Sequence, residues 1–130
     1  MGMQMYKYDI KGFLHWGFNF YNNRLSGDPI NPYINQDGDD WVPAGDMFIV
    51  YPAPDGTPYE SIRIPAFYDG LQDMRAMQLC ERYYPKSDII SGMEKALGKE
   101  IRFDVCAESA EEMLAVRKFI NGLIKKAVTK

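Results

Sequence analysis

Aromatic side chains on alternating positions of one short segment restrict the fold more than any other feature. Residues 12–21 read GFLHWGFNFY, and an Asn-Asn turn follows. Aromatic residues favour strands, so the segment predicts a β-strand of about seven to nine residues within residues 10–21. Phe13, His15 and Gly17 alternate with Leu14, Trp16 and Phe18, which makes both faces apolar or nearly so. A strand that is apolar on both faces is typical of a covered, parallel sheet.

The next segment predicts a long ordered loop and a second strand. Residues 22–46 contain three Pro and three Gly residues and have no helical period. Tyr33, Ile34 and Trp41 indicate that this loop packs against the protein, because disordered segments are poor in such residues. Residues 47–51 read MFIVY and are stopped by proline, which predicts a short buried strand.

Three helices follow from spacing and end signals. Apolar residues spaced by three or four predict a helix from Pro65 to Tyr83 or Tyr84. Ser87 is the expected cap of a short helix that runs through residue 97. Ser109 opens a capping box for a last helix with an apolar stripe over four turns. A short alternating run at residues 101–105 predicts one more strand.

Composition sets the class of protein and excludes several partners. The 130 residues are 46% hydrophobic and 25% charged, which is typical of an ordinary globular domain. A net charge of −3 gives no electrostatic surface for nucleic acid. No segment reaches the roughly 18 apolar residues needed to cross a bilayer, so we expect a soluble chain with no membrane partner.

Cysteine and histidine give no sign of a metal site. Cys80 lies on the apolar stripe of a predicted helix, and Cys106 follows a predicted strand, so buried free thiols are favoured over a disulfide. The chain has one His and no Cys-x-x-Cys, which leaves a structural zinc site without ligands. We therefore expect neither a metal nor a cofactor.

The order of several motifs carries a family resemblance. The motifs are GFLHWGFN at 12–19, Trp41 with Gly45-Asp46, FIVYP at 48–52, SIR at 61–63 and DGLQD at 69–73. Together they resemble the C-terminal part of the catalytic domain of glycoside hydrolase family 123, whose members are β-N-acetylgalactosaminidases. The resemblance runs from about residue 12 to the end and is most specific in residues 12–73.

The resemblance implies a (β/α) barrel, but the length limits how much of it is present. A full barrel needs about 250 residues. The expected fold class is therefore α/β, a partial (β/α) barrel that holds only C-terminal strands and helices, with a long aromatic loop between two strands. In this family an adjacent Asp-Glu pair performs catalysis, and no Asp-Glu dipeptide occurs in this chain. Asp39-Asp40 has the composition of a solvated turn, so no catalytic residue is assigned.

Four residues are predicted to bind substrate. An indole such as that of Trp16 can stack on the apolar face of a sugar and donate from its N–H, although a buried core Trp is the alternative. Asn19 can bind sugar hydroxyls or simply satisfy a turn. Trp41 and Tyr51 are expected to face the same opening. His15 lacks any partner at a catalytic spacing and is expected to be packed or on the surface.

Arg63 is assigned a structural role. It precedes the predicted helix that contains Asp69 and Asp73. A guanidinium in this place can form a forked hydrogen bond to a carboxylate and fix the turn, and we favour this role over ligand binding.

Three hypotheses for function remain. The chain is the C-terminal portion of a glycoside hydrolase, contributing cleft residues for an N-acetylhexosamine-containing glycan, or a self-contained non-catalytic carbohydrate-binding module, or a remnant that acts through protein contacts. We expect a single domain, with an extension at 1–11, a strand-loop-strand-helix region at 12–84 and helices at 85–130. Exposed strand edges predict a homo-oligomer. The resemblance implies a secreted or periplasmic full-length parent.

Overall fold

A computed structural model describes residues 1–24 and 27–129 of the chain. The elements, in order, are α1 (Gly2–Lys7), β1 (Val50–Pro52), β2 (Pro58–Glu60), α2 (Arg63–Cys80), α3 (Lys86–Leu97) and α4 (Ala110–Val128). The chain divides into two compact units. We call Met1–Gly12 with Phe67–Lys130 the helical unit, and Phe13–Ala66 the aromatic unit.

The three long helices are confirmed, with differences at their ends. α2 begins two residues before Pro65 and stops at Cys80, where the amides of Tyr83 and Tyr84 both turn back to the Cys80 carbonyl. Ser87 is not the cap of α3, because the helix begins at Lys86 and the cap position falls on Pro85. The predicted end of α3 is confirmed, because Gly98 directly after the helix adopts a left-handed conformation.

The capping box of α4 is present in a shifted form. The Ser109 hydroxyl accepts a hydrogen bond from the Glu112 amide at 3.2 Å, as predicted. The Glu112 carboxylate returns to the amide of Glu108 at 2.7 Å, one residue earlier than the usual box. Two amide groups at the start of the helix are therefore satisfied by side chains.

The helical unit has a continuous apolar core. Ile89 and Met93 of α3 are fully buried, and Val116 and Ile120 of α4 pack in the same cluster. Cys80 is a buried free thiol, as predicted, and burial raises its pKa; Cys106 is also free and only half-buried. This core is the amphipathic packing that the helical periods predict.

The N-terminal segment folds as a helix that the sequence analysis missed. In α1, Met3, Met5 and Tyr6 are buried, and Met3 and Tyr6 join the core cluster. A side chain on Gly2 would overlap the carbonyl of Gly70, so glycine allows α1 to approach α2 closely. With six residues the helix is too short to show a clear period, and tertiary packing decides its structure.

The predicted strands within residues 10–21 and at residues 101–105 are not formed. Residues 11–21 form an irregular segment with bends at Trp16 and Phe18, and its one bridge within this range joins Asn19 to Phe48. The backbone at Gly17 lies against the Met47 carbonyl, which also accepts the Phe20 amide at 3.2 Å. Residues 101–105 form a turn in which Arg102 and Val105 exchange backbone hydrogen bonds. Several apolar side chains of these segments are exposed, including Phe13, Leu14 and Phe103, so the two patterns correspond neither to a regular ladder nor to a covered sheet.

The second strand is confirmed in part and forms a two-stranded sheet. β1 and β2 are antiparallel, with Tyr51 opposite Tyr59. Phe48 is completely buried, although it lies just before β1. On the side away from β2, the amides of Ile49 and Val50 both donate to the Phe18 carbonyl. These contacts occupy one point along that edge of the sheet, so both the pairing of strand edges between copies and the partial barrel stay predictions.

Candidate functional site

Three aromatic rings of the aromatic unit form one exposed cluster, which we call the tryptophan cluster. The ring centroids of Trp16 and Trp41 lie 5.6 Å apart in an edge-to-face arrangement. Phe20 lies 5.6 Å from Trp16 and 6.1 Å from Trp41. Trp16 remains 49% exposed and Trp41 40% exposed. The cluster therefore joins two of the four predicted substrate-binding residues and leaves their rings open to solvent.

Asp46 fixes the orientation of Trp16. The indole Nε1–H of Trp16 donates a hydrogen bond to Asp46 Oδ2 at 2.8 Å. The neighbouring His15 places its Nε2 2.7 Å from the backbone oxygen of the same residue. Because the two contacts use the side chain and the main chain of Asp46, they hold the segment that carries Trp16 against the end of the long loop.

Two glycines make this arrangement possible. Gly17 is buried, and a side chain there would overlap the backbone of Met47. Gly45 has φ of +82° and donates its amide to the Gln36 carbonyl at 2.6 Å. A side chain on Gly45 would occupy the space that the Arg63 guanidinium fills. Gly17 is needed because the backbone of Met47 lies so close. Gly45 is needed because its backbone is left-handed and because Arg63 fills the space beside it.

The turn before Trp41 has an unusual backbone. Gly38, Asp39 and Asp40 all have positive φ, between 61° and 65°. The Asp39 carboxylate accepts from Asn35 Nδ2 at 2.8 Å, and the Trp41 amide donates to the Asp37 carbonyl at 3.0 Å. Asp tolerates the left-handed region better than most residues. The prediction that Asp39-Asp40 lies in an exposed turn is confirmed, and this turn delivers Trp41 to the cluster.

The other two predicted substrate-binding residues lie elsewhere in the aromatic unit. Tyr51 packs between Phe48 at 5.1 Å and Tyr33 at 5.2 Å, measured between ring centroids. Asn19 is exposed, and its bridge to Phe48 is made through the backbone. In the part of the chain that the structure describes, neither residue forms a ring contact with Trp16 or Trp41, so their roles as ligand contacts stay predictions.

The predicted structural pairing of Arg63 is wrong. Asp73 is bound by Arg117 instead. Among the described residues, Arg63 forms no ion pair, and its guanidinium lies against Gly45. Asp69 is exposed. The guanidinium stabilises the loop by packing on the backbone and filling the space that glycine leaves open.

Sequence reasoning missed two members of the site. Phe20 was assigned only to a strand, and Asp46 was noted only as part of a motif. The available signal was the position of Asp46 at the end of the long loop, directly after Gly45 and before an apolar run. The contact with Trp16 spans 30 residues, so no local pattern reveals it.

The described part of the chain offers no other clear chemical centre. Within it, no group of three or more His, Cys, Asp or Glu side chains is placed to hold a metal ion. No helix among those residues is both long enough and apolar enough to pass through a membrane.

A family model matches more than half of the chain. The model of the glycoside hydrolase 123 catalytic domain covers residues 1–80. The chain belongs to this family. The match includes α1, the aromatic unit with the tryptophan cluster and Asp46, and all of α2. No curated protein matches the chain. The family membership supports a glycoside hydrolase-like origin for this region.

Proposed function

We propose that this chain is the C-terminal portion of an N-acetylgalactosaminidase-like glycoside hydrolase and contributes carbohydrate contacts to its cleft. The ligand is an N-acetylhexosamine-containing glycan. Trp16 and Trp41 supply the stacking surface, and Asn19 and Tyr51 are proposed as outlying polar contacts. Following the family, the full-length parent is proposed to be secreted or periplasmic.

The exposed edge-to-face pair of Trp16 and Trp41 carries this proposal. Indole rings present broad apolar faces that match the apolar face of a sugar ring. Large aromatic residues normally bury more of their area than these two do. The hydrogen bond from Trp16 to Asp46 holds one ring in place before a ligand arrives, which lowers the entropy lost on binding.

The proposed role is binding without turnover by this chain. Glycosidases need a pair of carboxyl groups on either side of the scissile bond or a substrate-assisted equivalent. The family's adjacent Asp-Glu pair is absent from the sequence. Asp39 and Asp40 are held in a left-handed turn, and the side chain of Asp39 is bound by Asn35. We therefore expect no hydrolysis of aryl N-acetylgalactosaminides by the isolated chain.

A self-contained carbohydrate-binding module is the second candidate. The observation that favours it is the buried centre of the aromatic unit, where Met47 and Phe48 are completely buried. In that case the same surface binds sugar without a catalytic partner. An enzyme assay of the chain together with a segment that supplies the Asp-Glu pair separates the two, because only the first candidate predicts restored turnover.

Titration calorimetry with methyl N-acetylgalactosaminide tests the binding surface. Trp16→Ala and Trp41→Ala are each expected to weaken binding by about 1 kcal/mol through lost aromatic contact. Tyr68→Ala is the matched control, since Tyr68 is an exposed aromatic residue on α2 in the helical unit. Unchanged affinity in both folded Trp variants, or turnover that disappears in Asp39→Asn, contradicts the proposal.

We also propose that the chain forms a homo-oligomer through exposed strand edges, and exposed apolar side chains of the aromatic unit support this proposal. Leu14 and Ile34 are more than four-fifths exposed, and Phe13 and Phe18 are about half exposed. Exposed apolar side chains become buried when copies of a protein associate, which is favourable. Sedimentation equilibrium decides this point. A dimer that dissociates in Leu14→Ser agrees with the proposal, whereas a 15.0 kDa species at every concentration contradicts it.

A further inference from the structure

We propose that a polar pocket of the helical unit binds a small polyol or a sugar through two adjacent hydroxyl groups. The polar residues that line this pocket, which we call the Tyr6 pocket, are Tyr6, Asp9, Lys11, Gln78 and Glu81. All of them belong to the helical unit, so the pocket shares no residue with the tryptophan cluster. A ligand here adds to the proposed function and does not depend on it.

The Tyr6 hydroxyl gives the strongest reason to expect a ligand. Tyr6 is 3% exposed, and its hydroxyl has no hydrogen-bond partner of normal geometry among the described residues. Burial, followed by the nearby Glu81 carboxylate, raises the pKa of Tyr6, so the hydroxyl stays protonated at neutral pH. Tyr6 and Glu81 line the same pocket, which places this hydroxyl at its wall. A buried tyrosine hydroxyl normally has a partner, and a ligand hydroxyl can supply one.

Three contacts hold one wall of the pocket in shape before a ligand binds. Lys86 Nζ pairs with Asp9 Oδ1 at 2.6 Å and lies 5.2 Å from the centre of the Tyr6 ring. Just beyond α1, the Ile10 amide donates to the Met5 carbonyl at 2.9 Å. Because Tyr6 and Asp9 are already fixed, less entropy is lost when a ligand binds.

The charges around the pocket balance, which favours a neutral ligand. The Asp9 carboxylate has Lys86 Nζ at 2.6 Å and Lys11 Nζ at 3.9 Å. Glu81, the other carboxylate of the lining, forms no ion pair in the described part of the chain. Two carboxylates are therefore accompanied by two ammonium groups. A surface without an excess of one sign of charge concentrates neither cations nor anions.

The hydrogen-bonding groups and the size of the pocket suit adjacent hydroxyl groups. Carboxylates accept hydrogen bonds, an ammonium donates them, and an amide or a tyrosine hydroxyl does both, and all four kinds line this pocket. A hydroxyl ligand donates and accepts at once, whereas a cation only donates. The cavity of about 70 Å³ exceeds the roughly 10–15 Å³ that one water needs. Two neighbouring hydroxyl groups fit this space, and Met5 and Ile10 add apolar wall for their carbon atoms.

A glycerol titration of the full chain, followed by ¹H–¹⁵N spectra, tests the pocket. The backbone signals of Tyr6, Asp9 and Glu81 are expected to shift and saturate at one dissociation constant. Tyr6→Phe keeps the ring and removes the hydroxyl, so it is expected to weaken binding about tenfold and to leave the stability of the free chain unchanged. Tyr84→Phe is the matched control, because it removes a half-buried hydroxyl that donates to the Leu123 carbonyl outside the pocket, and it is expected to keep the affinity.

Several outcomes overturn the assignment of the pocket to hydroxyl groups. Glycerol that causes no saturable shift does so, and so does unchanged affinity in Tyr6→Phe. A loss of stability in Tyr6→Phe would mean that the hydroxyl already has a partner within the chain. 1-Propanol has three carbons but one hydroxyl, and methylammonium is a small cation. Binding of either compound at the same signals, as tightly as glycerol, contradicts the preference for neutral neighbouring hydroxyl groups.

A second titration identifies the source of the hydroxyl groups. Methyl N-acetylgalactosaminide that shifts the signals of the Tyr6 pocket assigns them to a glycan, whereas binding of glycerol alone assigns them to a free polyol. The indole signals of Trp16 and Trp41 report the proposed function in the same spectra. Failure of the Tyr6 pocket and failure of the tryptophan cluster are therefore seen separately.

Discussion

The helical unit and the aromatic unit are stabilised in different ways. In the helical unit, side chains from four helices build one apolar cluster that includes Ile89, Met93 and Ile120. In the aromatic unit, the buried hydrophobic residues among those described all lie between Met47 and Ala53. Around this short stretch, close backbone approach at Gly17 and side-chain contacts to Asp46 hold the loops.

This difference in how the two units are stabilised indicates where a ligand surface can form. Packing between helices gathers apolar side chains into one core, whereas loops fixed by glycines and hydrogen bonds hold the tryptophan cluster at the surface. Trp16 and Trp41 are held in this second way. Functional residues are often carried on loops that a more rigid structure positions.

The largest expected loss of stability comes from a substitution in the core of the helical unit. Ile89→Ala removes a side chain that is completely buried between α3 and its neighbours. The lost burial and the remaining cavity are expected to destabilise the protein by about 2–5 kcal/mol. Leu114→Ala, on the exposed part of α4, is the control and is expected to change stability little. Chemical unfolding measures both, and similar effects would mean that the core is loosely packed.

A second variant tests whether backbone approach stabilises the aromatic unit. Gly17→Ala places a methyl group against the Met47 carbonyl and is expected to cost about 1–3 kcal/mol. Gly12→Ala meets no atom within 4 Å and is the matched control. The variant is also expected to change the environment of Trp16, seen by its fluorescence. A Gly17→Ala protein with unchanged stability and spectrum would break the comparison between the units.

A smaller effect concerns charge in the helical unit. Lys7 Nζ donates to Glu94 Oε1 and to the Ile101 carbonyl, both at 2.7 Å. The hydrogen bond with Glu94 raises the pKa of Lys7, and the hydrogen bond from Lys7 lowers the pKa of Glu94. A lowered carboxyl pKa contributes stability above its ordinary value of 4.5, and this is lost as pH falls through the folded value.

The raised pKa of Lys7 has the opposite dependence. Its contribution is present below the ordinary value of 10.5 and is lost as pH rises through the folded value. The wild-type chain is therefore expected to exceed Glu94→Gln in stability mainly between about pH 4.5 and 10.5. Thermal unfolding across pH checks this. A stability difference that stays constant from pH 3 to pH 7 would show that the pair does not titrate as the structure indicates.

The sequence predicted the helical unit better than the aromatic unit, for a physical reason. The stripe of α4 and the Gly98 stop of α3 are local patterns, and both are confirmed. The residues around Trp16 are ordered by contacts with residues about 30 positions away, including Asp46 and Met47. Local periodicity cannot report such contacts, so an irregular aromatic segment was interpreted as a strand.

The site was predicted in part for the same reason. Trp16 and Trp41 were identified from residue type and from their place in the family motifs, and the structure brings them together. The partner of Arg63 was predicted from proximity in sequence to Asp73, whereas Asp73 is bound by Arg117, 44 residues further on. The pairing of Arg117 with Asp73 depends on how the helices pack, and the spacing of residues in one sequence does not predict it.

The most direct test of the account follows the two indole N–H signals during a sugar titration. The chain contains two Trp residues, so a ¹H–¹⁵N spectrum shows two such signals, and Trp16→Ala assigns them. With methyl N-acetylgalactosaminide, both signals are expected to shift and saturate together at one dissociation constant. Two indole signals that stay fixed while backbone signals of the helical unit move would place the ligand elsewhere and contradict the account.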